Sequence, residues 1–188
     1  MIYYDMDYSY SRSKDAIFCT ELSDQSLYDL HDFHRGTYIP KKGKLIYTYD
    51  PGEGNIITDF INNKRDWFII SSRCYHVLKQ ELYTGVQFLP IVIRNGKDGS
   101  NTMGYIVNIL HVLEGAINFE KSGYGVLKDG DKKIYAIWKY VLNENIIQNY
   151  DLFRLKEHSV AMFCSEKIKS IIEQEKLTGF SFKKIDVI

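Results

Sequence analysis

The sequence predicts an α+β fold, with mixed and antiparallel sheets carrying two pseudo-repeated strand–helix–strand units. Three observations lead there. The stretch "QELYTGVQF" (80–88) returns as "QEKLTGFSF" (174–182), an offset of 174 − 80 = 94. Short apolar runs rich in Tyr, Phe, Ile and Val recur between turn residues along most of the chain. Helical periodicity is confined to brief stretches.

The first element is "MIYYDMDYSY". Tyr3, Tyr4, Tyr8 and Tyr10 interleave with Asp5 and Asp7, which predicts a half-buried edge strand. The alternative is a partner-binding patch, because tyrosine gives large contact area at low entropic cost. "LSDQSLYDLHDF" (22–33) can hold a helix capped by Ser23 or Asp24, and "KLIYTYD" (44–50) alternates as a strand.

The first repeated unit follows. "WFIIS" is a short strand, Ser71 stands where an N-cap is needed, and Cys74, Val77 and Leu78 form a helical stripe. Gly85 is expected at the C′ position of that helix, before the strand "VQFLPIVI". The second unit repeats this with "VAMFCS", Ser165, the stripe Ile168, Ile171 and Ile172, then Gly179 and "FSFKKIDVI". Residues 71–91 align with 165–185 without a gap, with seven identical pairs. Chance composition would give roughly one or two.

Between the units, "TMGYIVNILHVL" (102–113) reads as a strand leading into a turn. "GYGVL" (123–127) and "KKIYAIWKYVL" (132–142) form a hairpin about "KDGD" (128–131), and "YDLFRL" (150–155) adds a strand. Residues 59–188 are expected to be the main domain, with 1–58 a variable segment packed on it as one globular unit.

Composition narrows the function. Hydrophobic residues make up 45% of the 188, enough for a substantial core. The 24 basic residues balance the 24 acidic ones, without the surplus that nucleic-acid binding draws on. Residues 1–60 are nevertheless acidic, with ten Asp or Glu against six Lys or Arg. Cys19, Cys74 and Cys164 are odd in number and widely spaced, so they suit reduced thiols better than disulfides or zinc. The opening residues lack a secretory signal, and no apolar run approaches the roughly 20 residues of a membrane span. A soluble, cytoplasmic protein is expected.

A search for chemistry returns nothing specific. In "DLHDFHR", Asp29, His31, Asp32 and His34 could hold a metal, yet the spacing matches no established ligand pattern. Cys74 falls on a buried stripe, an inert setting for a thiol. "GKDGSNTMG" is neither a phosphate-binding loop nor a dinucleotide fingerprint.

One family does match these residues. "DFI" (59–61), "DWFIISSRCYHVLKQ" (66–80), "TGVQFLPIVI" (84–93), "GYIVNIL" (104–110), "GAIN" (115–118), "YDLFRLKE" (150–157) and "FCSEKIKSIIEQEKLTGFSFKKI" (163–185) resemble the bacterial immunity protein family eleven. The matching positions include Ser71, Gly85, Phe88, Pro90, Tyr105, Phe153, Arg154, Ser165, Glu166, Thr178, Gly179 and Phe182. The resemblance implies a non-enzymatic inhibitor without cofactors, one that binds a cognate polymorphic toxin in the cytoplasm. If that toxin is a nuclease with a basic cleft, Asp5, Asp7, Tyr8, Tyr10, Asp29 and Asp32 are the expected contacts. A binding or scaffold module unrelated to toxins, and a His/Asp metal-dependent hydrolase, are the alternatives.

Overall fold

A computed structural model describes residues 1–188 except 10–14, 25, 26, 30, 83 and 131 and the side chains at 129 and 132. Tyr10 and part of the 128–131 turn therefore lie outside the described residues. The strands β1 (Tyr3–Tyr8), β2 (Phe18–Leu22), β3 (Leu45–Tyr49), β4 (Phe60–Asn63) and β5 (Ile69–Ser71) precede helix α1 (Ser72–Glu81). Next come β6 (Val86–Asn95), β7 (Asn101–Ile109), β8 (Val112–Leu113), β9 (Gly123–Asp129), β10 (Lys132–Lys139), β11 (Val141–Leu142) and the one-turn α2 (Glu144–Ile147). The chain finishes with β12 (Leu152–Leu155), β13 (His158–Ser165), α3 (Glu166–Gln174), β14 (Phe180–Lys184) and β15 (Asp186–Val187).

The fold is mixed α and β, mostly strand. Six strands close a barrel in the order β2-β3-β6-β7-β5-β4, and five more form a sheet in the order β14-β1-β13-β12-β8. Alternation along β3 buries Leu45, Tyr47 and Tyr49, which join Ile17, Cys19, Ile61, Trp67, Ile69, Ile91 and Ile106 in the barrel core. A second cluster, containing Met6, Phe60, Phe68, Val107 and Phe180, receives the helix stripes through Cys74, Leu78, Ile168 and Ile172. A third lies on the other face of the five-stranded sheet, around Tyr3, Leu113, Phe153, Phe163 and Ile185.

The barrel and the sheet share a pattern of pairing. β7 runs antiparallel between β6 and β5, and β1 runs antiparallel between β14 and β13. Ser71 faces Gly104 and Ile70 faces Tyr105; Ser165 faces Tyr3 and Cys164 faces Tyr4. β2 pairs in parallel with β4, as β8 does with β12. β3 pairs in parallel with β6, as β11 does with β15.

The polar contacts follow suit. The Ser71 amide donates to the Asp59 carbonyl and its hydroxyl to Asp59 Oδ1 (2.6 Å). Ser165 does the same to Asp151, again at 2.6 Å through the hydroxyl. Arg73 reaches the Glu175 carbonyl at the end of α3, while Lys167 pairs with Glu81 at the end of α1 (3.0 Å). The helices therefore exchange matching contacts head to tail.

Several local expectations need correction. β1 is an interior strand and not an edge, so Tyr3 and Tyr8 are buried. Across 22–33 the only helical turn among the described residues is Asp32–His34, and the Ser23 hydroxyl accepts from the Ile46 amide instead of capping a helix. Ser71 does cap α1, accepting from the Cys74 amide at 3.1 Å, whereas the Ser165 hydroxyl donates to Asp151 and makes no capping bond. Gly85 and Gly179 are not helix caps: α1 ends on Leu82 and α3 on Glu175, followed by Lys176 at φ +51°. The glycines turn the chain into β6 and β14 at φ +78° and +87°, where a Cβ is strained.

Candidate functional site

A cleft of about 350 Å³ opens where the five-stranded sheet meets the β4–β5 end of the barrel. One wall comes from β1, where Asp5 and Asp7 point to the same face by strand alternation. The neighbouring strands place Phe163 and Lys183 beside Asp5, and Ser181 beside Asp7. Tyr140, His158 and Ala161 extend this wall.

The opposite wall is the β4–β5 turn. Asn63 organises it: its side chain donates to the carbonyls of Trp67 (2.8 Å) and Ile61 (3.2 Å) and accepts from the Trp67 and Arg65 amides. That network holds Asp66 at φ +51° and brings it to the cleft with Asn62. Three carboxylates thus face one cavity.

At Asp5 and Asp7 the environment favours the neutral form. Burial, then the neighbouring Asp7, pushes Asp5 up to about 6, against a smaller opposing pull from Lys183. Burial also raises Asp7, partly offset by the Tyr8 amide, which donates to its carboxylate at 2.7 Å. The Tyr140 hydroxyl and His158 Nδ1 share a hydrogen bond of 2.6 Å. Burial lifts the phenol and depresses the imidazole, so a protonated Tyr140 and a neutral His158 fit together. A cation entering the cleft would stabilise Asp5 and Asp7 in their charged forms.

The sequence-nominated contacts are divided by the fold. Asp5 and Asp7 line the cleft. Tyr8 also borders it, but is mostly committed to the core, edge-on to Phe60 at 5.7 Å. Asp29 and Asp32 lie elsewhere: Asp32 accepts from the Asp29 amide (2.9 Å) and pairs with Arg35 (3.4 Å). His31 and His34 sit 5.8 Å apart by ring centroid, and burial holds His34 down at about 4. No group of three metal-ligating side chains gathers among the described residues.

The motif residues serve packing. Tyr105 stacks on Tyr75 at 3.8 Å, with Phe88 edge-on to the same ring. Lys169 lies over Tyr4, which meets Phe182 edge-on. Phe153 stacks on Phe163. Arg154 is fully buried, donating from one nitrogen to the Ser159 and Val160 carbonyls, and burial lowers it to about 9.

Asp66, Tyr140, His158 and Ala161 escaped sequence reasoning. The non-glycine turn "NNKRDW" was the one available signal, since Asn and Asp tolerate left-handed backbone. The three cysteines are buried and free; burial raises Cys19 to about 12 and the others further, which leaves no activated thiol among them. No helix among the described residues is long and apolar enough to cross a membrane.

No curated protein matches the chain in sequence. A family model does, over residues 21–187, reaching well ahead of the region in which the sequence pattern was recognised. With that match spanning nearly the whole chain, the protein belongs to the immunity protein family (Imm11).

Proposed function

We propose that this protein neutralises a cognate toxin by binding it, with the acidic cleft receiving a basic side chain of the toxin domain. The carrying observation is Asp5: a half-buried carboxylate beside Asp7 that accepts no hydrogen bond among the described residues. A guanidinium or ammonium from a partner would add to the weak pull of Lys183 and supply the hydrogen bonds Asp5 lacks, and the Tyr140–His158 pair would shape the entrance. Inhibition then needs surface complementarity and no reaction, in keeping with a family whose members protect against toxins. On this reading the protein works in the cytoplasm, and a nuclease with a basic substrate cleft is one class of toxin that fits.

The same proposal takes the scaffold as a pseudo-repeat. The matched strand pairings, the two Asp–Ser contacts and the reciprocal helix ends support two related half-units, the second completed by β1. By register Ile106 in the barrel corresponds to Asp5, and Trp67 to Ala161. Where the first unit fills its interior with an isoleucine and a tryptophan, the second presents a carboxylate and an open space.

The test is co-expression with the toxin domain encoded by the neighbouring gene. Wild-type protein restores growth and co-purifies with the toxin. Asp5→Lys/Asp7→Lys abolishes both while keeping the wild-type circular dichroism spectrum. Full rescue by that folded double variant would refute the cleft's role.

A further inference from the structure

The pairing of β12 with β13 is broken at one place. Leu152 faces Cys164 and Phe153 faces Phe163, but Leu155 then faces His158. Arg154 therefore stands alone against residues 159–162, a bulge on the β13 side. The ladder between β13 and β1 stops at the same point, with Met6 opposite Met162. Past it the two strands part. Asp7 and Tyr8 on one side of the gap, and Val160 and Ala161 on the other, line the acidic cleft.

Backbone groups in such a bulge lose their ladder partners and need others. Arg154 supplies them. Its side chain is fully buried, and Nη1 donates to the carbonyls of Ser159 and Val160 at 2.8 and 2.7 Å. In a regular strand successive carbonyls point to opposite sides, so one nitrogen serves both only where the strand is bent. Nε and Nη2 make no hydrogen bond among the described residues, which leaves these two carbonyls as the polar partners of the side chain. No carboxylate pairs with the guanidinium among those residues either, and its charge helps to keep the buried His34 neutral. A buried, unpaired charge is costly, and an aliphatic side chain would fill the same interior without that cost. What an aliphatic side chain lacks is a donor for two splayed carbonyls.

We infer that Arg154 is the positioning residue of the acidic cleft, an inference resting on the reading of that cleft as the toxin's docking site. It touches no partner itself. It clamps the bulge from the β12 side, so that the wall formed by His158, Val160 and Ala161 stands clear of β1. The alternative to the clamp is further strand pairing. Continuing the Met6–Met162 register would set Ala161 against Asp7 and Val160 against Tyr8, and the entrance would close. The open cleft thus exists in place of two more rungs of ladder, and a buried guanidinium keeps it so.

Arg154→Met removes the donors while filling most of the space, and Arg154→Lys puts a charged donor back at the same place. Affinity for the toxin domain is measured by titration calorimetry, and hydrogen exchange is followed along the free protein. For Arg154→Met the expected result is an affinity roughly 10-fold or more below wild type, with altered exchange confined to residues 158–162. Arg154→Lys should recover both. A merely structural role would raise exchange across the whole molecule and lower affinity only by the fraction unfolded, and that outcome overturns the inference. Should Arg154→Met not fold, Arg154→Gln, neutral but still a donor, is read by the same two measurements. Affinity that does not follow exchange in the bulge overturns the clamp in either variant. If the clamp fails in this way while Asp5→Lys/Asp7→Lys still abolishes rescue, the cleft reading stands. Full rescue by that aspartate variant overturns the cleft reading itself, whatever Arg154 does to the bulge.

Discussion

Thr178 and Asp59 join two segments 119 residues apart: the Thr178 amide and hydroxyl both donate to Asp59 Oδ2, at 2.9 and 3.1 Å. The same carboxylate receives Arg73 at 3.2 Å, while its other oxygen takes the Ser71 hydroxyl. Asp59 is buried, whereas Asp151, which receives the Ser165 hydroxyl and Lys167, is 40% exposed at the side chain. Asp59→Ala should therefore cost about 2–4 kcal/mol in urea unfolding and Asp151→Ala about 1 kcal/mol, the difference coming from donors left without acceptor or water. Equal losses would contradict this.

Gly179 gives a backbone prediction. At φ +87° its missing Cβ would press on the Phe60 carbonyl at the start of β4 (2.6 Å) and on Thr58, whose hydroxyl donates to that same carbonyl. Gly179→Ala combines left-handed strain with a backbone clash and should cost roughly 2–4 kcal/mol. At Gly99, also left-handed but with open space around it, the same change should cost only about 1 kcal/mol. Thermal melts of the two variants make the comparison.

Asp5 sets a slope of stability with pH. Its folded-state value of about 6 lies above the ordinary aspartate range, so the native protein binds more protons than the unfolded chain between about pH 4 and 6. Stability contributed by this group therefore falls as pH rises through that window and stays reduced above it. Asp5→Asn should raise stability at pH 7 by on the order of 1–2 kcal/mol, yet weaken toxin binding. His34, held at about 4, acts with opposite sign, costing stability as pH falls from about 6.5. Denaturant midpoints from pH 4 to 8 should accordingly steepen upwards with pH in the Asp5→Asn protein.

Binding is linked to the same proton. A cation in the cleft lowers the Asp5 value, so toxin affinity should increase as pH rises from 5 to 7 and lose that dependence in Asp5→Asn. Calorimetry in buffers of different ionisation enthalpy should report about half a proton released per complex near pH 6, where free Asp5 is half protonated.

Trp67 and Ala161 provide the packing test. Trp67 is fully buried, with Phe33 edge-on at 4.7 Å and Asn63 holding its backbone. Trp67→Ala should cost about 3–5 kcal/mol. Ala161→Leu borders a cleft that already has room, and should leave stability within about 1 kcal/mol while obstructing the toxin. Both effects are readable from melts and binding titrations.

Local chemistry made much of this fold legible. The hairpin 123–139, the Ser71 cap and both helix stripes follow from turn residues and periodicity lying close together in sequence. Barrel closure did not show, because it depends on Leu45 pairing in parallel with Ile91, and nothing in either strand names its partner. The glycines misled because a left-handed residue after a helix resembles a cap until the helix end is located. For the site, Asp5 and Asp7 were readable as an aromatic-flanked acidic strand. Their grouping with Asp66, Tyr140 and His158 depends on three separated turns meeting in space, which residue spacing does not encode.

The position of β1 bears on how the protein is made. This strand leaves the ribosome long before both of its neighbours, β13 and β14, which begin only at residue 158 or later. Until they emerge, a tyrosine-rich segment must wait unsatisfied, and the wall carrying Asp5 and Asp7 cannot exist. If the cleft binds the toxin as proposed, a nascent copy offers its cell no protection through it, and shielding starts only once translation has delivered the closing strands.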